Sequence, residues 1–193
     1  DAPIMMRTPL GTPIIGIAGW KKSGKTTLSI RLIEEFTGRG LKVASLKHAH
    51  HAFQIDDQET DSARHRRAGA SQVAAVSSKR WALITELHGA PEPNFDEVIA
   101  ALDPCDLVIV EGYKSAPIYK IEARRRASIT QSPLAEDDPL VIAIAADHAV
   151  EDTSLPVFTL DDIEGLADFL DARLGPLRPG VVALNTVRDE EHL

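Results

Sequence analysis

The chain has 193 residues and one cysteine, Cys105, so it contains no pair that could close an internal disulfide. A reducing, cytoplasmic setting is the expectation. No apolar run approaches the ~18 residues that a membrane-crossing helix needs, so no membrane role is expected. Residues 1–9 carry one basic side chain, Arg7, and no apolar h-region, so no secretory signal is expected there. Positive charge is scarce. Lys and Arg number 21 against 29 Asp and Glu, a formal net charge of −8. That balance argues against nucleic-acid binding through overall charge. The guanine-reading pattern Asn-Lys-x-Asp is absent, and so are internal repeats and low-complexity tracts.

What is present is an ordinary globular mixture, 44% hydrophobic and 26% charged. The length suffices for one domain with a full core. We expect that domain over residues 13–175, with residues 1–12 as an N-terminal extension and residues 176–193 as a loose tail. Against the acidic background two basic runs stand out, Arg64-His65-Arg66-Arg67 and Arg124-Arg125-Arg126.

The chain is organised around Gly19-x-x-x-x-Gly24-Lys25-Thr26, the spacing of a phosphate-binding loop. Residues 13–18 before it read as a short buried strand. Residues 27–36 after it place apolar side chains at helical spacing. Strand, loop and helix are the context this motif requires. The glycines let the backbone curl so that successive N–H groups face phosphate oxygens, and the helix start adds its own unpaired N–H groups. Gly19, Lys21, Lys22, Ser23, Gly24, Lys25, Thr26 and Thr27 form the candidate cradle. Lys25 is expected to reach the outer phosphates and the Thr26 hydroxyl to hold Mg2+.

Further strands are expected at residues 41–47, 106–114, 119–122, 140–145 and 155–160. A hairpin is expected from residues 72–77 and 80–85. Helices are expected at residues 62–70, 95–102 and 161–174, the last capped by Asp161. Strands alternating with helices predict an α/β fold, a mainly parallel sheet flanked by helices with some antiparallel pairing. Such sheets bind ligands outside the carboxyl ends of their strands. That rule gathers the loop, His48, Glu111 and Asp147 on one edge.

Glu111 ends the apolar run Leu107-Val108-Ile109-Val110, where a nucleotide-hydrolysing protein carries its second acid. It is the candidate for Mg2+ binding or for orienting water, beside Lys25 as the other catalytic candidate. Lys47, at a strand end, is a candidate phosphate partner. His48, His50 and His51 admit three readings: a transition-metal site, contact with an anionic ligand, or a polar loop. Asp61 ends an acidic stretch and reads either as an indirect Mg2+ ligand or, with Ser62, as a helix cap. Arg64 and Arg67 share a helix face and would grip a phosphate together or stay solvated. Asp147 follows a buried strand, where a carboxylate can accept the N1–H and N2–H of guanine. Asp162-x-x-Gly165 matches a GTPase switch motif but falls in the amphipathic last helix, which excludes that use.

With these residues placed, the chain resembles the molybdopterin-guanine dinucleotide biosynthesis protein B (MobB) family. The likeness rests on the loop from Gly19 to Leu28, on Leu46-Lys47-His48-Ala49-His50-His51, on Asp61-Ser62 leading to Arg67-Ala68-Gly69-Ala70, and on Arg80-Trp81-Ala82-Leu83. It continues through Val110-Glu111-Gly112-Tyr113-Lys114, Ile144-Ala145-Ala146-Asp147 and the stretch from Asp162 to Phe169. The resemblance implies a P-loop NTPase fold, GTP and Mg2+ binding, weak GTP hydrolysis and a homodimer. It also implies a supporting role when a separate guanylyltransferase attaches GMP to molybdopterin, or when the finished cofactor is delivered. By the same route Lys25, Thr26 and Glu111 become nucleotide and metal residues. Residues 48–51 and 64–67 become pterin-side or dimer-side candidates, toward molybdopterin or its guanine dinucleotide form. Two other functions stay open: an ATP-dependent small-molecule kinase or ligase, and a metallochaperone-type GTPase suggested by the histidines.

Overall fold

The computed structural model describes residues 3–49, 60–128 and 132–180. The elements run β1 (Ile14–Ala18), α1 (Lys25–Gly38), β2 (Val43–Lys47), α2 (Asp61–Arg67), β3 (Gln72–Val76), β4 (Trp81–Thr85), α3 (Phe95–Ala100), β5 (Leu107–Glu111), β6 (Lys120–Arg124), α4 (Leu134–Asp137), β7 (Val141–Ala146), β8 (Val157–Thr159) and α5 (Ile163–Leu174). The backbone divides into two compact units: residues up to 48 with those from 99 onward, and residues 49–98.

The larger unit holds a six-stranded sheet in the order β2-β5-β1-β6-β7-β8, and every pairing in it is parallel. The central strands β1 and β7 are buried along their whole length. That explains why their sequences are continuous apolar runs rather than alternating ones. One face of the sheet carries α1 and α5. Leu28, Leu32 and Phe36 of α1 and Leu166, Ala167, Leu170 and Leu174 of α5 join Ile15, Ile17, Ile109, Ile121 and Ala143 in a single core cluster. Both helices place their apolar residues at three- and four-residue intervals, so one stripe of each meets the sheet.

The sheet order decides the neighbours of the phosphate loop. β1 lies between β5 and β6, so the chain leaving β1 emerges beside the ends of both. Ile17 pairs with Glu111 on one side and Ala18 with Glu122 on the other.

Three local expectations are corrected. Asp162, not Asp161, caps α5: its carboxylate accepts the N–H of Gly165 at 3.0 Å, while Asp161 pairs with Arg31 at 2.7 Å. The Asp162-x-x-Gly165 spacing is therefore a helix cap in which a side chain satisfies a first-turn donor. Neither Asp61 nor Ser62 caps α2. Thr60 does, accepting the N–H of Ala63. The tail expected to be loose is tied down as far as it is described. Leu177 is 4% exposed within the core cluster, its N–H donates to Asp171 at 2.8 Å, and the Gly180 N–H donates to Asp106 at 2.8 Å. Residues 181–193 lie outside the described residues.

The smaller unit consists of α2 and the antiparallel hairpin β3–β4, with Val76 opposite Trp81 and Ala74 opposite Leu83. Those residues share one face of the ribbon, and Val76, Trp81 and Leu83 are 77%, 69% and 53% exposed. Arg66 reaches Glu86 at 3.4 Å within this unit.

Candidate functional site

The loop after β1 is built to leave donors free. Gly24 is the N-cap of α1 in the left-handed region (φ 93°), and no side chain caps this helix. α2 and α5, by contrast, are both capped by side chains. The first-turn N–H groups of α1 therefore point out of the loop without side-chain partners, as an anion would require. Gly19 is enclosed: a methyl group built on it would collide with Ser23 Oγ and lie 2.8 Å from the backbone oxygen of Ala123. Only hydrogen fits there without moving β6. Ser23 is 1% exposed, and its hydroxyl has no hydrogen-bond partner among the described residues. Lys21 and Lys22 are exposed on the outside of the turn.

Lys25 folds back so that Nζ donates to the Gly19 carbonyl at 2.9 Å. Burial lowers its pKa, Glu111 opposes that shift, and Lys47 adds to it. Thr26 donates its hydroxyl to Glu111 Oε1 at 2.5 Å, and Lys47 Nζ lies 3.9 Å from the same oxygen. Glu111 is therefore the meeting point of β5, the loop and β2, as the sheet order requires. Lys114 stands over the Trp20 ring, its Nζ 3.5 Å from the centroid. Its pKa is lowered by burial and by Lys25. Lys25 and Lys47 thus flank one carboxylate, and Lys114 is close enough to Lys25 to be disfavoured by its charge, in a chain whose net charge is −8. The three ammonium groups oppose one another, a repulsion that a multiply charged anion would relieve.

His48 stacks on Tyr113 with ring centroids 4.4 Å apart, and its backbone N–H donates to the Glu111 carbonyl. This places the histidine beside the acid on the same edge. His50 and His51, and with them the rest of the metal reading, lie outside the described residues. Among the described residues no cluster of three or more His, Cys, Asp or Glu side chains has metal-binding geometry. Two oxygens, from Thr26 and Glu111, suit an ion that takes its remaining ligands from phosphate and water, which is how Mg2+ is usually held.

On the other side of β1, Asp147 directly follows β7. Its Oδ1 accepts the backbone N–H of Arg126 at 2.9 Å and meets His148 Nδ1 at 2.9 Å. The His148 hydrogen bond is the largest cause of its lowered pKa. Asp147 borders a groove of about 460 Å³ with Gly24, Thr27, Leu28, Arg31, Arg125, Leu160 and Asp161. The groove begins at the loop and ends at the carboxyl ends of β7 and β8, where a doubly wound sheet receives a nucleoside. Asp61 and Arg67, the first and last residues of α2, belong to the smaller unit, where Asp61 lies 3.8 Å from Arg64.

Two further side chains, Trp20 and Arg125, border the loop. Trp20 is fixed by the Lys114 ammonium above it and by its indole N–H, which donates to the Ser132 carbonyl at 2.7 Å. Arg125 lies against Gly24 and lines the groove. The only sequence signal for Arg125 was its membership of a three-arginine run.

Comparison with known proteins finds one family. The profile of the family described as molybdopterin guanine dinucleotide synthesis protein B matches residues 14–147. The molybdopterin-guanine dinucleotide biosynthesis adapter protein of Haemophilus influenzae is 39% identical over 162 residues, covering 82% of this chain and 88% of that protein. The adapter protein of the same name from Escherichia coli is 35% identical over 160 residues, covering 82% and 91%. The crystal structure of Bacillus subtilis MobB superposes with a TM-score of 0.64 at 26% identity, covering 84% of this chain and 98% of that one.

Proposed function

The chain belongs to the molybdopterin-guanine dinucleotide synthesis protein B family, and from that membership we propose that it is a GTP-binding adaptor in molybdenum-cofactor biosynthesis, with slow GTP hydrolysis. The relatives from Haemophilus influenzae and Escherichia coli carry the name adapter protein. An adaptor acts on a partner, and the partner of this reading is the separate guanylyltransferase that joins GMP to molybdopterin.

One observation carries the nucleotide part: the uncapped start of α1 opens beside the Thr26–Glu111 pair, with Lys25 and Lys47 next to that pair and Lys114 close to Lys25. Free backbone donors, a hydroxyl next to a carboxylate and surplus positive charge suit a triphosphate with its Mg2+. Thr26 and Glu111 would hold the ion, which when bound neutralises charge on the outer phosphates. Lys25 would leave the Gly19 carbonyl for a phosphate oxygen. Asp147 would face the guanine edge from the far end of the groove. Among the described residues the loop and the ends of β2 and β5 contribute no glutamine, and Glu111 is already engaged by Thr26, which supports slow turnover.

A homodimer is part of the same proposal, supported by the exposed apolar face of Val76, Trp81 and Leu83 on the hairpin. The test of the main reading is calorimetric titration with GTP and with ATP, each with Mg2+. Preference for GTP is expected. Much tighter ATP binding would favour a kinase or ligase and overturn the adaptor reading.

A further inference from the structure

Arg125 is a partly buried cation of the larger unit that lies against the phosphate loop. A methyl group built on Gly24 would lie 2.7 Å from Arg125 Nε, 3.2 Å from Cζ and 3.3 Å from Nη2, so the guanidinium rests against the last glycine of the loop. It is partly buried there. Two other arginines beside it are paired, Arg124 with Glu122 at 2.7 Å and Arg31 with Asp161 at 2.7 Å, and the adjacent Arg126 is exposed to solvent. Arg125 has no hydrogen bond or ion pair from its side chain among the described residues. A carboxylate is present in the same groove, yet Asp147 is satisfied by the Arg126 N–H and His148 instead. A partly buried guanidinium without a counter-charge is costly unless an anion completes it.

Position says which anion. Lys25 and Lys47 lie on the β5 side of the loop, beside Glu111. Arg125 lies just past β6, on the opposite side of β1, and shares its groove with Thr27 and Asp147. A nucleotide whose outer phosphates meet Lys25 and Thr26, and whose base meets Asp147, carries its inner phosphate between them. That is where Arg125 and Thr27 stand. Resting on the GTP-binding reading above, we propose that Arg125 binds the α-phosphate of the nucleotide. Its planar fork donates two hydrogen bonds to the phosphate oxygens. The site then holds any ligand bearing a guanosine monophosphate unit, not only a triphosphate.

The experiment is a competition titration of GTP, GDP, GMP and guanosine against a fluorescent GTP analogue. The proteins are the wild type, Arg125→Ala, Arg125→Lys and Lys25→Ala, with folding checked by thermal unfolding. Arg125→Ala is expected to weaken GTP, GDP and GMP by one common factor, on the order of tenfold to a hundredfold, and to leave guanosine unchanged. Arg125→Lys recovers part of the loss, because it keeps the charge and loses the fork, and it carries the test if the alanine variant does not fold. Lys25→Ala weakens GTP far more than GMP. GMP affinity within about twofold of wild type in Arg125→Ala overturns the proposal, as does an equal loss for guanosine, since twofold is well below one charged hydrogen bond. A wild-type protein that binds no guanine nucleotide would instead remove the GTP reading itself, and with it this one.

Discussion

Lys25→Ala is the substitution with the largest expected effect on ligand binding. In the free chain the ammonium donates to the Gly19 carbonyl at 2.9 Å and is partly desolvated. Binding exchanges that one contact with a neutral carbonyl for two with ionised oxygens. Each hydrogen bond from the charged ammonium contributes about 1.5–3 kcal/mol. Two phosphate contacts less one carbonyl contact leave about 1.5–3 kcal/mol, or roughly 10-fold to 150-fold in affinity. Lys47 supplies the control. It lies 3.9 Å from Glu111 with 63% of its side chain exposed, the geometry of an exposed ion pair. Such pairs are worth about 0–1 kcal/mol, so Lys47→Ala should lose about fivefold at most. Both variants should unfold at temperatures close to wild type, because neither side chain is in the core. The assay is calorimetric titration with GTP and Mg2+ at fixed ionic strength. Equal losses in the two variants, or a Lys25→Ala loss below about fivefold, would show that general positive charge, and not the loop, holds the phosphates.

Asp147→Asn should weaken GTP by about tenfold or more and improve binding of xanthosine triphosphate, since the amide presents a donor where guanine needs an acceptor; competition binding reads both, and an unchanged ratio removes Asp147 from base recognition. Glu111→Gln should abolish the Mg2+ dependence of GTP affinity and lower phosphate release by about a hundredfold, and hydrolysis at the wild-type rate would be incompatible with its assigned role. Leu177→Ala should cost about 2–5 kcal/mol in chemical denaturation, because Leu177 is 4% exposed in the core cluster; a loss below about 0.5 kcal/mol would mean that residues 176–180 are not packed. The pKa of Lys25 is lowered in the folded chain, chiefly by burial, and phosphate favours its protonated form. GTP affinity should therefore fall as pH rises through that lowered value, with proton uptake on binding, as calorimetry in buffers of different ionisation heat would record. In the window between the lowered value and the ordinary one, the unfolded chain binds more protons, so the stability of the ligand-free protein should rise with pH.

The phosphate loop was legible because its requirement is local: a strand, two glycines at fixed spacing and a helix, all within residues 14–38. Glu111 was legible because the apolar run before it marks a buried parallel strand and the edge rule says where its end points. Cap positions were not. The apolar stripe of α5 is compatible with a cap at either Asp161 or Asp162, and only the position three residues before the Gly165 N–H decides it. Arg125 was hidden for a different reason. Its neighbours in sequence have the same side chain, and what separates them is that β6 lies beside β1, a fact of strand order. The Lys114–Trp20 contact and the anchoring of Gly180 to Asp106 likewise join residues far apart in sequence. No periodicity announces such contacts.

The placement of Trp20 makes the loop observable without a label. An ammonium 3.5 Å above the ring holds its indole in a local electric field. A polyphosphate that draws Lys114 off the ring changes that field and shifts the emission colour. The other indole, Trp81, lies on the hairpin of the smaller unit and supplies a separate background signal. The protein thus carries an optical gauge of loop occupancy that a stopped-flow instrument can read in real time.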